Sequence, residues 1–425
     1  MTIAVPPPSN VADLVDRLGP GTDVIVPIAN GEPRAFLDEV DRRRHDLVGV
    51  KVHQMSPMRP RGFHGADHGG VQYVSYFLSD HLRQPFAEGC IELVPNDFHA
   101  VPQILRDTCH QPFLVVATSP PDRHGYVSMG LSADYAAALL HEVPVVAEVN
   151  PAMPRVRGLH NFHLRDTVGW YEATTPMVEK AAPTETYEDR AIAGHVAALI
   201  PDGATLQMGI GAVPGLVAEM LHHHTDLGIH TELLSDSIMG LVESGAVTGR
   251  RKTRERGRVA TTFAMGSAEL YEWIDDNPAV MLLPVDICNS PQVVAEFTNF
   301  CAINATMQVD LLGQCASESI GHHYVSSTGG QADFIRGADL APGGRSFIVT
   351  HSTALGGSVS RIVTSLSPGA VVTAHKNLAD RVVTEFGVAE LKGRSLRQRA
   401  EALIEVAHPD FQEQLVAEAK EHGLL

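Results

Sequence analysis

Residues 205–214 read TLQMGIGAVP, and one helical stretch later residues 227–237 read LGIHTELLSDS. The first is an apolar strand that runs into a Gly-rich turn. Its Pro214 suits the first turn of a helix, where an N–H has no intrahelical partner. The second is a strand that ends on one carboxylate, Glu232, beside His230 and Thr231. Strand, glycine turn, helix and strand together are the grammar of a mostly parallel α/β sheet. The turn, Gly209-Ile210-Gly211-Ala212-Val213, offers backbone N–H groups to an anion. A carboxylate opposite it can attack an acyl group whose oxygen rests on those donors. Spacing alone leaves two plainer readings open: a tight strand-to-helix turn, and a glutamate that is merely hydrogen-bonded or paired.

The same grammar occurs twice. Val11, Leu14, Val15 and Leu18 share a helical face, followed by Gly19-Pro20-Gly21 and a strand over residues 23–27. Ile192, Val196 and Leu199 share another, followed by Pro201-Asp202-Gly203 and the strand at 205–208. Two copies predict an α/β protein of two related domains, residues 1–175 and 190–425. The connection between them is the Pro-, Thr- and charge-rich stretch 174–190. Further buried-strand candidates lie at 46–53, 72–75, 113–117 and 144–149, then at 228–233, 279–284 and 346–350. Residues 396–407 and 409–422 read as two helices split by Pro409.

A net charge of −18 argues against nucleic acid and against an anionic membrane surface as partners. No apolar run approaches the roughly 18 residues of a membrane span. The first residues, MTIAVPPPSN, lack the basic and apolar regions of a signal peptide. Five cysteines without a CxxC pair fit reduced thiols, so a cytoplasmic protein is expected. His222-His223-His224 and His322-His323 carry no HExxH or CxxC partner, and no metal site is expected from them. The run 250–258, RRKTRERGR, reads as a solvated basic loop. Asp333 and Arg336, after the Gly329-Gly330 pair, are spaced to pair with each other. A G-x-G after a strand also imitates a dinucleotide fingerprint, which keeps a nicotinamide-dependent oxidoreductase as a rival reading.

Eight stretches, in order, resemble the acetyl-CoA hydrolase/transferase family of class I CoA-transferases, which includes 4-hydroxybutyrate and butyrate:acetate CoA-transferases. They are PPDRHGYVS (120–128), EVNPAMP (148–154), residues 206–214, LGIHTELLSD (227–236), NATMQVDLLGQ (304–314), SESIG (317–321), GGQADFIRGA (329–338) and VVTEFGVAELKG (382–393). The resemblance implies an active site where the two domains meet and a homodimer or higher homo-oligomer. It implies that Glu232, in the HTE motif, is the nucleophile. It implies that Gly209, Ile210, Gly211, Ala212 and Val213 line the CoA thioester, that Asn289 of the NSP segment contacts the acyl or thioester group, and that Gly329, Gly330 and Glu385 lie beside the CoA. Two departures stand out. SSTGGQADF carries Ser327 and Thr328 where relatives have Gly and Val, and Lys376 stands where many have Arg. The first bears on pocket size, the second on bidentate phosphate contact.

The expected reaction is ping-pong transfer of CoA from an acyl-CoA to a small, short-chain carboxylic acid through a glutamyl-CoA thioester. Coenzyme A is substrate rather than cofactor, and no other cofactor is expected. Glu232 is expected to be ionised at neutral pH. Acyl-CoA hydrolysis and non-catalytic sensing of acyl-CoA are the alternatives.

Overall fold

The computed structural model describes residues 5–181, 183–209 and 211–425. The chain divides into two compact units, residues 1–181 with 260–288, and residues 182–259 with 289–425. Among the described residues, no helix is long and apolar enough to cross a membrane.

The first unit is built on seven strands: β1 (Thr22–Val26), β2 (Val50–Gln54), β3 (Val71–Ser75), β4 (Glu92–Leu93), β5 (Gln111–Thr118), β6 (Val145–Val149) and β7 (Gly169–Glu172). They lie in the order β4-β3-β2-β1-β5-β6-β7, all parallel. Such strands are covered on both faces, so they read as apolar runs rather than alternations. β1 is buried throughout. Two helices matter below, α1 (Arg34–Arg42) and α2 (Val101–Thr108). Glu148, from the EVNP stretch, ends near the α1 N-terminus. Its carboxylate accepts the N–H groups of Arg34 at 3.1 Å and Ala35 at 2.9 Å and the Tyr171 hydroxyl at 2.5 Å. An anion there satisfies donors that the helix itself leaves open. Residues 260–288 rejoin this unit. Leu282 donates to the Arg157 carbonyl at 2.9 Å, and Leu159 donates to the Leu282 carbonyl at 3.0 Å.

The second unit begins with helix α3 (Tyr187–Ala197), whose start is fixed by a reciprocal cap. Asp189 N–H donates to Thr186 Oγ1 at 3.1 Å, and Thr186 N–H returns to Asp189 Oδ2 at 3.0 Å. Six strands follow: β8 (Thr205–Met208), β9 (Gly228–Leu234), β10 (Phe300–Ala305), β11 (Arg345–Val349), β12 (Arg381–Thr384) and β13 (Gly387–Glu390). Within the unit their order is β9-β8-β10-β11-β12-β13, parallel except for the closing β12–β13 hairpin. Helix α4 (Ala212–Met220) follows β8, and α5 (Gln331–Leu340) precedes β11. The tail forms α6 (Leu396–Glu405) and α7 (Pro409–Glu421), with Pro409 opening the second helix as its spacing predicts.

The duplicated grammar is visible in the sheets. In each unit the chain reverses its direction of strand addition beside the strand that follows the first helix–turn, at β1/β5 and at β8/β10. Open α/β sheets bind ligands outside the carboxyl ends of strands at such a reversal.

Candidate active site

Strand β9 carries His230, Thr231 and Glu232, and each has a separate anchor. The ladder between β8 and β9 runs from Thr205↔Gly228 to Leu206↔Ile229. Beyond it the Thr231 hydroxyl bridges the two strands. It accepts the Met208 N–H and donates to the Met208 carbonyl, both at 3.2 Å. His230 is fully buried and packs on Phe297 with ring centroids 4.7 Å apart. Beneath it Lys252, only 1% exposed, donates to the carbonyls of Ile229 and Arg258 at 2.8 Å each. The run 250–258 is therefore not simply a solvated loop. Arg251 is exposed as expected, but Lys252 turns inward because two strand-end carbonyls need a donor there.

Glu232 follows Thr231 on the strand and is half-buried. Asn289 Nδ2 donates to Glu232 Oε2 at 2.8 Å. The Gly330 N–H, at the start of α5, also donates to the carboxylate. Gly330 touches the site closely enough that a Cβ there would stand 1.9 Å from Glu232 Oε2 and 2.4 Å from Asn289 Nδ2. Gly329, just before it, has φ +55°, a conformation that glycine adopts at little cost. Asn289 is fully buried, and its Oδ1 has no hydrogen-bond partner among the described residues.

Burial pushes the Glu232 carboxyl up to about 7. The Asn289 hydrogen bond opposes this, the charge of Asp333 adds to it, and the Gly330 N–H opposes it. The expectation of a carboxylate fully ionised at neutral pH is thereby corrected: near pH 7 the group is divided between its two forms. Asp333 is the residue that spacing missed. It is fully buried at the third position of α5, and its charge acts on Glu232.

The glycine turn divides. The Gly209 N–H donates to the Ile303 carbonyl at 3.0 Å, extending the β8–β10 ladder, so it is spent and cannot serve an oxyanion. Ile210 lies outside the described residues. Gly211 caps α4 at φ +139°, and the N–H groups of Ala212 and Val213 open that helix without intrahelical acceptors. They follow β8, the strand paired with β9. Glu385 stands on the two-residue turn of the β12–β13 hairpin, where it accepts the Ser352 N–H at 2.9 Å and the Ser352 hydroxyl at 2.5 Å. The structure thus brings Glu232, Asn289 and Gly330 into direct contact and gives Glu385 a separate partner.

Residues 17–167 match the family model of the acetyl-CoA hydrolase/transferase N-terminal domain, and residues 266–419 match that of its C-terminal domain. A succinyl-CoA:cyclohexane-1-carboxylate CoA transferase of Geobacter metallireducens is 43% identical over 94% of this chain and 92% of its own. RipA from Yersinia pestis superposes with a TM-score of 0.94 at 36% identity, covering 98% of each chain. A 4-hydroxybutyrate CoA-transferase of Porphyromonas gingivalis superposes with a TM-score of 0.80 at 34% identity, covering 97% of each.

Proposed function

This chain belongs to the acetyl-CoA hydrolase/transferase family, and from that premise we propose that it moves coenzyme A between small carboxylic acids through a thioester on Glu232. It is an enzyme of the CoA-transferase group, which sets aside the dinucleotide reading of the glycine turn. The observation that carries the proposal is the Asn289–Glu232–Gly330 contact. A single carboxylate on β9 is held by two donors, and one of them, Gly330, approaches so closely that only a residue without a side chain fits there.

The Glu232 carboxylate attacks the thioester carbonyl of an acyl-CoA. The C–S bond breaks, giving an acyl-glutamyl anhydride and CoA thiolate. The thiolate then attacks the glutamyl carbonyl, expelling the first acid as its carboxylate and leaving a glutamyl-CoA thioester. A second carboxylate reverses both steps. The thioester bond is conserved throughout, so the balance requires no ATP. Each addition places negative charge on a carbonyl oxygen. Asn289 Nδ2 and the Gly330 N–H are the donors nearest the glutamyl carbonyl, and the open N–H groups of Ala212 and Val213 are candidates for the acyl oxygen.

Acetyl-CoA is incubated with the protein, the adduct is trapped with borohydride, and the peptides are mapped by mass. Modification of Glu232 within residues 227–236 is expected. Turnover with that peptide unmodified would overturn the proposal. Hydrolysis is the second reading, favoured by the half-buried position of Glu232, which leaves water a route to an intermediate. The ratio of acid exchange to free CoA release separates the two.

A further inference from the structure

Away from the catalytic strand, the first unit holds a buried cluster that the transfer reaction does not use. Asp23 on β1, His53 on β2 and Cys109, two residues before β5, place one donor atom each within 4.8 Å of one another. His53 Nε2 is 3.0 Å from Asp23 Oδ1 and 3.9 Å from Cys109 Sγ. A ring nitrogen carries one proton or one lone pair. It can satisfy the carboxylate or the thiol, but not both, and the thiol's other partner is the Thr108 hydroxyl. A cation among the three atoms satisfies all of them.

The surroundings suit that use. His53 Nδ1 lies 3.0 Å from the Tyr76 hydroxyl, an outer partner of the kind that orients a ligating imidazole. Asp23 Oδ2 accepts the N–H groups of His110 at 2.7 Å and Gln111 at 3.2 Å, which fixes the carboxylate and leaves Oδ1 to point at the cluster. The site sits where α2 ends, and a helix C-terminus favours positive charge. Cys109 is half-buried, which gives an ion a way in. Sulfur, imidazole nitrogen and one carboxylate oxygen form a donor set for zinc and its neighbours rather than for magnesium or calcium.

We propose that Asp23, His53 and Cys109 bind one divalent metal ion of the zinc class, with solvent as the fourth ligand. On binding, the thiol proton leaves to solvent. The imidazole proton passes from Nε2 to Nδ1, where it is donated to Tyr76. One proton is released per ion, and the ion ties together β1, β2 and the entry to β5.

The test uses the full chain, stripped with a chelator, reduced, and titrated with Co²⁺. One equivalent is expected to bind with a thiolate-to-cobalt charge-transfer band in the near ultraviolet, and a pH-stat should record one proton released. Cys109→Ser should abolish the band and weaken binding by at least about tenfold. Cys90→Ser should change neither. Asp23→Asn, which keeps the thiol, should retain the band while weakening binding, so the outcome does not hang on one variant's folding. Absence of stoichiometric binding, or a band that persists in Cys109→Ser, would overturn the site.

Discussion

Gly330 and Glu232 are in such close contact that the glycine has no room for a side chain: a Cβ would come 1.9 Å from the carboxylate. Gly330 itself has φ −91°, which alanine adopts without strain. Gly330→Ala should therefore leave the backbone intact and push Glu232 or Asn289 aside. A displacement of about 1 Å from an attacking geometry costs roughly a hundredfold in rate. Exchange of labelled acetate into acetyl-CoA measures it. A variant with normal exchange would show that this contact is not part of the working site.

Asn289→Ala removes one of the two donors on Glu232. We expect kcat/KM to fall about a hundredfold, the usual effect of losing one donor aimed at a developing oxyanion. The alkaline shift of the activity profile should grow as well, because the Asn289 hydrogen bond favours the ionised form of Glu232. A rate loss with no movement along the pH axis would mean that Asn289 acts on the substrate alone.

With the carboxyl raised to about 7, kcat/KM should climb through neutral pH and level off above it. Asp333→Asn removes the charge that raises Glu232 further, so the rising limb should move toward acid. Profiles of both proteins over pH 5 to 9 decide the matter. An unmoved limb would remove Asp333 from the electrostatics of the site.

The same shift has a cost in stability. The folded pKa of Glu232 lies above its value of 4.5 in the unfolded chain. The folded state therefore holds the proton more tightly, and ionisation erodes stability as pH rises from about 4.5 to about 7. Glu232→Gln carries no such charge. It should match the wild type below pH 4.5 and exceed it above pH 7, by about 3.5 kcal/mol at most, each tenfold change in proton affinity being worth about 1.4 kcal/mol. Urea unfolding at both pH values provides the comparison. Equal stability at pH 8 would mean that burial penalises the charge little.

Much of this protein could be read from its sequence because parallel strands covered on both faces are short apolar runs ended by Gly or Pro. Residues 205–208 and 228–233 announce β8 and β9 in this way, and the turn between them announces α4. Strand β10, FCAINA, gave no comparable signal. Its alanines and asparagine are poor strand formers, and it is held by hydrogen-bonded neighbours on both sides. Lys252 looked like its basic neighbours, since nothing in a charge run shows which member will meet two strand-end carbonyls. Asp333 was spaced to meet Arg336, and its spacing gave no sign that its charge would also act on Glu232. Asn289 lies 57 residues from Glu232, and only the family resemblance brought the two together before the fold did. The proposed metal cluster draws its donors from β1, β2 and the approach to β5, a combination that no local spacing encodes.

Because the Thr231 hydroxyl grips both polar groups of Met208, the middle of β9 is clamped to β8 by a side chain, one residue before Glu232 and just past the paired residues of the ladder. Glu232 is thus aimed from behind, by the residue that precedes it on the strand. Changes to whatever faces Glu232 can therefore leave this clamp in place.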